Sequence, residues 1–410
     1  MIKRRKFIAS SAIISLAPTF PAILTRAAVA NQWDSGGRIL VVIQLDGGND
    51  GINTVVPYRD EGYAKYRKEL RLPDSQLIKL TDAFAFHASL RDVSELFEDG
   101  RLSIVHGVGY QNPNRSHFES MRIWHAGSTE QSIRKVGNGW IGDSLSQLNL
   151  RGELQAIHVG DESLPSALAG RQCTATTISH ASDLSFQLQP AASDHSQPLG
   201  DVESNSLTDF LTRSVKDAQS AVEKIQSLLD SGLAGRYPAT QLGERLSLVS
   251  RLIKAESGAR VYYTTLPGFD THAVQAGNHS NLLRDFSTAL TAFMDDMLES
   301  KLDDRIAVLA FSEFGRRVEE NASAGTDHGT AGPVFLAGNA LASRTHGILP
   351  SLTDLQDGDL KHNIDFRSIY AAIAANWLGC DLPLTLKDIE PLPLFKLDHV
   401  DKTCEIAADP

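Results

Sequence analysis

Apolar positions along the chain fall into two kinds of stretch that take turns. Arg38–Leu45, Leu102–Val108, Leu154–Val159 and Arg305–Phe311 are short, nearly unbroken runs rich in aliphatic residues, the pattern of strands buried on both faces. Arg260–Leu266 adds a β-branched and aromatic run, and Pro333–Leu336 a shorter apolar one. Between them apolar residues recur at helical spacing in Ser89–Phe97, in the segment after His117 that carries Met121, Ile123 and Trp124, and in Gly139–Leu148. The same spacing marks Leu207–Leu229, Gln241–Ala255, Ser280–Leu298 and Phe366–Leu378, with a break at Gly232–Pro238. Strands alternating with helices predict an α/β fold with a central, mainly parallel sheet and helices on both faces. Residues 58–79 are polar and read as a surface excursion. Residues 160–205 lose periodicity and turn rich in Ser, Ala, Gln and His, which reads as an insertion or lid.

The candidate chemistry sits where the predicted strands end. Asp46 closes the first run and is followed by Gly47-Gly48-Asn49-Asp50-Gly51. In open α/β sheets ligands bind outside the carboxyl ends of strands, although Asp, Asn and Gly also make ordinary turns. Asp270 and His272 follow the Arg260–Leu266 run, Glu313 follows Arg305–Phe311, and Asp327-His328 comes just before Pro333–Leu336. Gln111–Phe118, after the second strand, contributes Arg115, Ser116 and His117. Carboxylates and imidazoles gathered at one sheet edge are the ligands of a divalent cation. Without a cation, Asp46, Asp270, Glu313 and Asp327 would repel one another or take up protons. Each residue has a plainer role as well: Asp270 in a turn, His272 half-buried, Glu313 paired with Arg316 or Arg317, His328 closing a loop, and Ser116 as a helix N-cap. Of the remaining histidines, His279 is the strongest further candidate.

The N-terminus and the charge narrow the setting. Residues 1–30 have a basic start, an apolar middle and an Ala28-Val29-Ala30 site, as in an export signal, and Arg4-Arg5 matches the twin-arginine type. This predicts a periplasmic or secreted protein with no membrane span in its mature form. The net charge is −11, and the first thirty residues hold five basic and no acidic side chains, so the remainder is more acidic still. Such a chain is poorly suited to nucleic acid or anionic lipid. Cys173, Cys380 and Cys404 lack metal-type spacing and allow one disulfide at most.

The blocks LDGGNDGINTVVPY, VHGVGYQNPNRSHFESMRIW, GFDTHAVQAGNHSNLL, FSEFGRRVEENASAGTDHGTAGPVFLAG and DFRSIYAAIAANWLG resemble those of the exported bacterial family called domain of unknown function 1501. That family is usually placed with the alkaline phosphatase-like proteins, which include sulfatases. The resemblance implies an alkaline phosphatase-like three-layer sandwich over residues 31–410. It also implies one or two divalent cations (Zn, Mn, Mg or Ca), with Asp46, Asp270, His272, Glu313, Asp327 and His328 as metal ligands. Ser116 would be the nucleophile, while Asn49, Arg115, His117 and Arg316 would hold the anionic oxygens. Asp270-Thr271-His272 replaces the usual Asp-x-x-x-His, and Glu313-Phe314 replaces an Asp-His pair, so a second metal would lose its imidazole. The implied activity is hydrolysis of a small anionic phosphate or sulfate ester. The alternative is a non-catalytic exported binding or assembly protein that keeps the fold and works with a protein partner from a neighbouring gene. A narrower version of the hydrolase has residues 160–205 choosing a carbohydrate-sulfate or lipid-headgroup substrate.

Overall fold

The computed structural model describes residues 37–129, 138–148, 154–180 and 236–396. The export signal, the helix expected over 207–229, Cys404 and the 160–205 segment beyond residue 180 lie outside them. The central sheet is built from β1 (Ile39–Asp46), β2 (Leu102–Gly109), β3 (Ala156–Val159), β4 (Ala175–Ile178), β5 (Val261–Pro267), β6 (Ile306–Phe311), β7 (Gly332–Ala337), β8 (Thr345–His346) and β9 (Ile364–Asp365). Its order is β8-β2-β7-β6-β1-β5-β3-β4, with β9 also paired to β2. All pairings are parallel except those of β7, which runs against both β6 and β2. The helices used below are α1 (Gly51–Thr54), α2 (Arg91–Glu98), α3 (His117–Ala126), α4 (Trp140–Leu145), α5 (Gln241–Lys254), α6 (Gln275–Glu299) and α7 (Phe366–Ala372).

The unbroken apolar run of β1 is explained by burial on both faces. Val41, Ile43 and Leu45 enter one core with residues of α2, α5 and α6, while Leu40 and Val42 enter a second core with α3, α4 and α7. Alternate side chains of a strand point to opposite faces, so a strand between two helical layers must be apolar at every position. The expected three-layer α/β sandwich is therefore what the chain forms. Among the described residues no helix is long and apolar enough to cross a membrane.

Register fixes the functional edge. Asp46 pairs with Pro267 of β5, and Gln44 with Phe311 of β6, so the three central strands finish level. Asp46, the loop to Asp270 and the loop to Glu313 consequently leave the sheet side by side. The reversal of β7 completes the arrangement. Its entrance lies at the edge where its neighbours exit, and the Asp327–Thr330 loop that precedes it joins the others.

Several expectations are corrected. Residues 58–79 are not merely a surface excursion: Tyr63 and Arg67 are buried there, and Leu77–Lys79 pairs with Ala85–His87 in a small separate sheet. The described part of 160–205 is not wholly lid, because Ala175–Ile178 pairs parallel with β3 and extends the sheet. Helix α6 starts at Gln275, five residues before the apolar pattern does, and takes in a buried His279. Cys173 and Cys380 are both free.

Candidate metal centre

The chain leaving β1 must turn sharply against two other loops. A Cβ on Gly47 would lie 2.4 Å from the Asp270 nitrogen, and one on Gly48 would lie 2.3 Å from the Phe314 ring; both glycines have positive φ. Into this turn reaches Arg316, almost wholly buried. Its Nε donates to the Gly48 carbonyl at 2.7 Å, its Nη1 to Thr326 at 2.7 Å, and its Nη2 to the carbonyls of Gly47 and Phe269. The same Nη2 lies 2.8 Å from Asp270 Oδ1. One guanidinium thus ties three loops together and places a fixed positive charge behind Asp270. Arg316 is turned inward to the loops, where the resemblance implies an anion holder.

Three imidazoles meet in front of Asp270. His328 Nδ1 is 2.8 Å from the Arg115 carbonyl, which can only accept, so that nitrogen carries the proton. His272 Nδ1 is 3.2 Å from the Asp327 carboxylate, and His117 Nδ1 is 2.7 Å from Glu313 Oε1. In their neutral forms all three rings therefore present a bare Nε2. Those of His272 and His328 stand 2.9 Å apart, and lie 3.0 and 3.1 Å from Asp270 Oδ1. His117 Nε2 is 3.5 Å from the same oxygen and has no hydrogen-bond partner, although it is buried. Bare lone pairs packed this closely repel unless a proton or a cation lies among them. The edge of a tetrahedral site with metal–nitrogen bonds of about 2.0–2.1 Å is about 3.3 Å, so the donor set and its spacing fit a divalent ion. The ligand atoms of His117, Asp270 and His328 all lie within 4.8 Å of one another. An imidazole that donates Nδ1–H to an oxygen and offers Nε2 is the usual metal-binding arrangement.

The surrounding charges are set to match. Asp270 is partly buried, which would raise its pKa, but Arg316 and His328 outweigh this and hold it at about 2. Asp327 is also held below the usual range, chiefly by Asn321. His117 is shifted upward by its hydrogen bond to Glu313. Asp46 is shifted upward too, by burial first and by the Glu313 charge second. Its Oδ1 accepts from Gln44 Nε2 at 2.9 Å, and the other end of that amide is fixed: Gln44 Oε1 lies 2.5 Å from the Tyr263 hydroxyl and 3.1 Å from His125 Nε2. A buried polar triad drawn from two central strands and the helix packed on them is costly unless every member is bonded. Here it aims the amide nitrogen at Asp46.

Comparison with known proteins adds the lineage. Residues 38–375 match the family described as "Protein of unknown function (DUF1501)". The chain belongs to that family. No curated protein matches it. Solved structures that align with this family member include the C-terminal periplasmic domain of EcEptC from Escherichia coli, 9% identical with a TM-score of 0.38 over 89% of this chain and 92% of that one. Another is a protein in the alkaline phosphatase superfamily from Vibrio parahaemolyticus, 11% identical with a TM-score of 0.38 over 91% and 78%. A third is the lipoteichoic acid synthase LtaP from Listeria monocytogenes, 9% identical with a TM-score of 0.37 over 81% and 76%. Likenesses this distant say nothing about activity, so the chemistry of the DUF1501 chain rests on its own side chains.

Of the residues singled out in the sequence, Asp270, His272 and His328 converge directly. Glu313 and Asp327 stand behind His117 and His272, each orienting a ring, and Gly47 N–H also donates to Glu313 Oε1 at 3.0 Å. Asp46 lies beside Glu313 rather than in the imidazole cluster. Asn49 is buried, with its Oδ1 facing Thr54 and His279. The same contact accounts for His279, which supports Asn49 from within. Ser116 is exposed at the N-cap of α3, yet its hydroxyl makes no capping bond. Arg115 is half-exposed and paired on one side with Asp359. The donor whose ligand-like geometry the sequence reading missed is His117, there assigned to substrate oxygens; its one sequence-level signal was its place after the second strand.

Proposed function

We propose that this chain is an exported, metal-dependent hydrolase of phosphate or sulfate esters, holding one divalent cation through His117, Asp270, His272 and His328. The observation that supports this is that the Nε2 atoms of His117, His272 and His328 lie 3.5, 3.0 and 3.1 Å from Asp270 Oδ1, with His117, Asp270 and His328 forming the mutually close set and His272 at its side. Arg316 already gives Asp270 one fixed positive charge, which is why a single ion is proposed rather than two. When bound, a divalent cation polarises the ester's non-bridging oxygens and balances the charge that gathers on them. Ser116, exposed and free of a capping bond, is the nucleophile: the bond from its Oγ to phosphorus or sulfur forms as the bond to the leaving oxygen breaks, the Oγ proton passes to that oxygen to give the free alcohol, and water then splits the seryl ester, returning a proton to Oγ and releasing the inorganic anion. Glu313, Asp327 and the Arg115 carbonyl keep the three rings in the required tautomer.

The test is metal analysis and ester hydrolysis on wild type, Ser116→Ala and His328→Ala. Wild type is expected to hold about one divalent ion per chain. His328→Ala removes a ligand outright and should weaken metal binding by more than about 10–100-fold, the cost of losing an outer-shell partner, and Ser116→Ala should keep the metal while losing turnover. A wild-type protein that takes up none of Zn, Mn, Mg or Ca would remove the proposal, and undiminished hydrolysis by Ser116→Ala would remove the nucleophile.

A further inference from the structure

Beside the metal centre opens a cleft of about 900 Å³, walled by Gly109–Arg115 on the chain leaving β2 and by residues between Gln356 and Arg367. It adjoins the centre from behind His328: Arg115 lines it, and the Arg115 carbonyl holds His328 Nδ1. Thr330, two residues beyond His328, also lines it. A group bound at the imidazoles therefore has this cleft as its neighbour.

The lining is particular. Gln111, Asn112, Asn114 and Gln356 present exposed side-chain amides, each able to donate and to accept. The larger apolar residues, Tyr110 and Leu360, are buried and offer no greasy bed. The cations do not make an anion trap either: Arg367 is paired with Asp365 and Lys361 with Asp354, Arg115 shares Asp359 with Arg317, and Asp357 adds an exposed carboxylate to the lining. Mixed donors and acceptors, with cations and carboxylates interspersed and no apolar floor, suit hydroxyl groups. Its volume lies at the upper end of the usual range for ligand pockets, well beyond the needs of an inorganic anion.

We infer that this cleft binds the alcohol half of the ester and selects a hydroxyl-rich one, a saccharide or polyol, over an aryl or alkyl alcohol. The inference rests on the ester-hydrolase reading of the centre, and it moves substrate choice from residues 160–205 to the walls at 109–115 and 356–367.

The experiment is calorimetric titration of the metal-loaded full chain, carrying Ser116→Ala throughout so that the esters are bound and not cleaved, with three probes: inorganic phosphate, 4-nitrophenyl phosphate and glucose 6-phosphate. The chain carrying Gln111→Ala and Asn112→Gly is titrated alongside. Asn112 has a φ of 55°, which glycine adopts freely, and neither side chain touches a ligand of the centre, so metal content serves as the folding control. Glucose 6-phosphate is expected to bind the chain with the intact cleft about tenfold or more tighter than the other two probes. That advantage should vanish in the variant while phosphate binding stays the same. Equal affinity for all three probes, or a variant that binds the sugar ester as well as the intact cleft does, would overturn the cleft assignment and leave the centre standing. Sugar-ester binding that is tight and variant-sensitive, with no affinity for phosphate, would support the cleft and remove the hydrolase reading. If no probe binds, both are overturned.

Discussion

At the scale of single residues, the centre is organised by what lies behind each donor. His117, His272 and His328 differ in sequence context but share one device, an oxygen on Nδ1 that turns Nε2 forward. His117 gives this device a pH signature. Its pKa is raised above the ordinary 6.5 by the hydrogen bond to Glu313, so in the metal-free protein the pair stabilises the fold fully below about pH 6.5. That contribution is lost as pH rises through the elevated value. Metal binding runs the opposite way, because the ring must shed its proton to coordinate. Metal affinity is therefore expected to climb with pH and level off only above the raised His117 value; His117→Gln should flatten this rise. Metal titrations between pH 5.5 and 8.5, about the span in which histidines change charge, check it, and an affinity indifferent to pH would contradict the assignment of His117.

At the scale of elements, the loop after β1 is held from beneath by a buried ion pair. Asp50 and Arg67 are both fully enclosed, with Nη1–Oδ2 at 2.5 Å and Nη2–Oδ1 at 2.9 Å, and Gln275 of α6 donates to the same carboxylate. Burial alone would raise the Asp50 pKa, but Arg67 overrides it and the group titrates at about 2. The pair therefore supports the fold fully above about pH 4 and gives way as pH falls toward 2. Removing one partner should be worse than removing both, because a lone buried charge remains. Arg67→Met is expected to cost about 3–5 kcal/mol, and the added Asp50→Asn should recover part of it. Urea unfolding of the single and double variants at neutral pH measures this. The finding also explains why residues 58–79 mislead as sequence. Arg67 looks like a surface cation until Asp50, seventeen positions earlier, is brought against it.

At the scale of the whole molecule, the proposed ligands come from two loops and from the start of α3, and they are separated by up to 211 positions between His117 and His328. Such a site exists only in the folded chain, so an ion that binds it stabilises the fold by mass action, about 2.7 kcal/mol at a hundredfold excess over its dissociation constant. The melting temperature is expected to fall on chelation and to recover when metal is restored, with no recovery in Asp270→Asn. A melting curve indifferent to chelator in a chain shown to contain metal beforehand would speak against a site shared among these loops.

Much of this was legible in the chain itself. The unbroken run of β1 needed burial on both faces and so announced the sandwich, and the carboxylates and imidazoles at strand ends announced the edge where chemistry gathers. Periodicity could do this because side-chain direction repeats locally, every second residue in a strand and every third or fourth in a helix. It could not tell that β7 runs backward, which alone carries Asp327 and His328 to the edge where the other strands exit. Nor could it tell donors from the groups behind them: Glu313 and Asp46 read alike until packing set Glu313 behind His117, and His117 read as a holder of anionic oxygens until the fold turned its Nε2 to face Asp270. Composition and pattern decided which groups the chain possesses and which layer they occupy. Which lone pairs face one another depended on register, strand direction and the buried Arg316, and those are settled only by contacts between residues far apart along the chain.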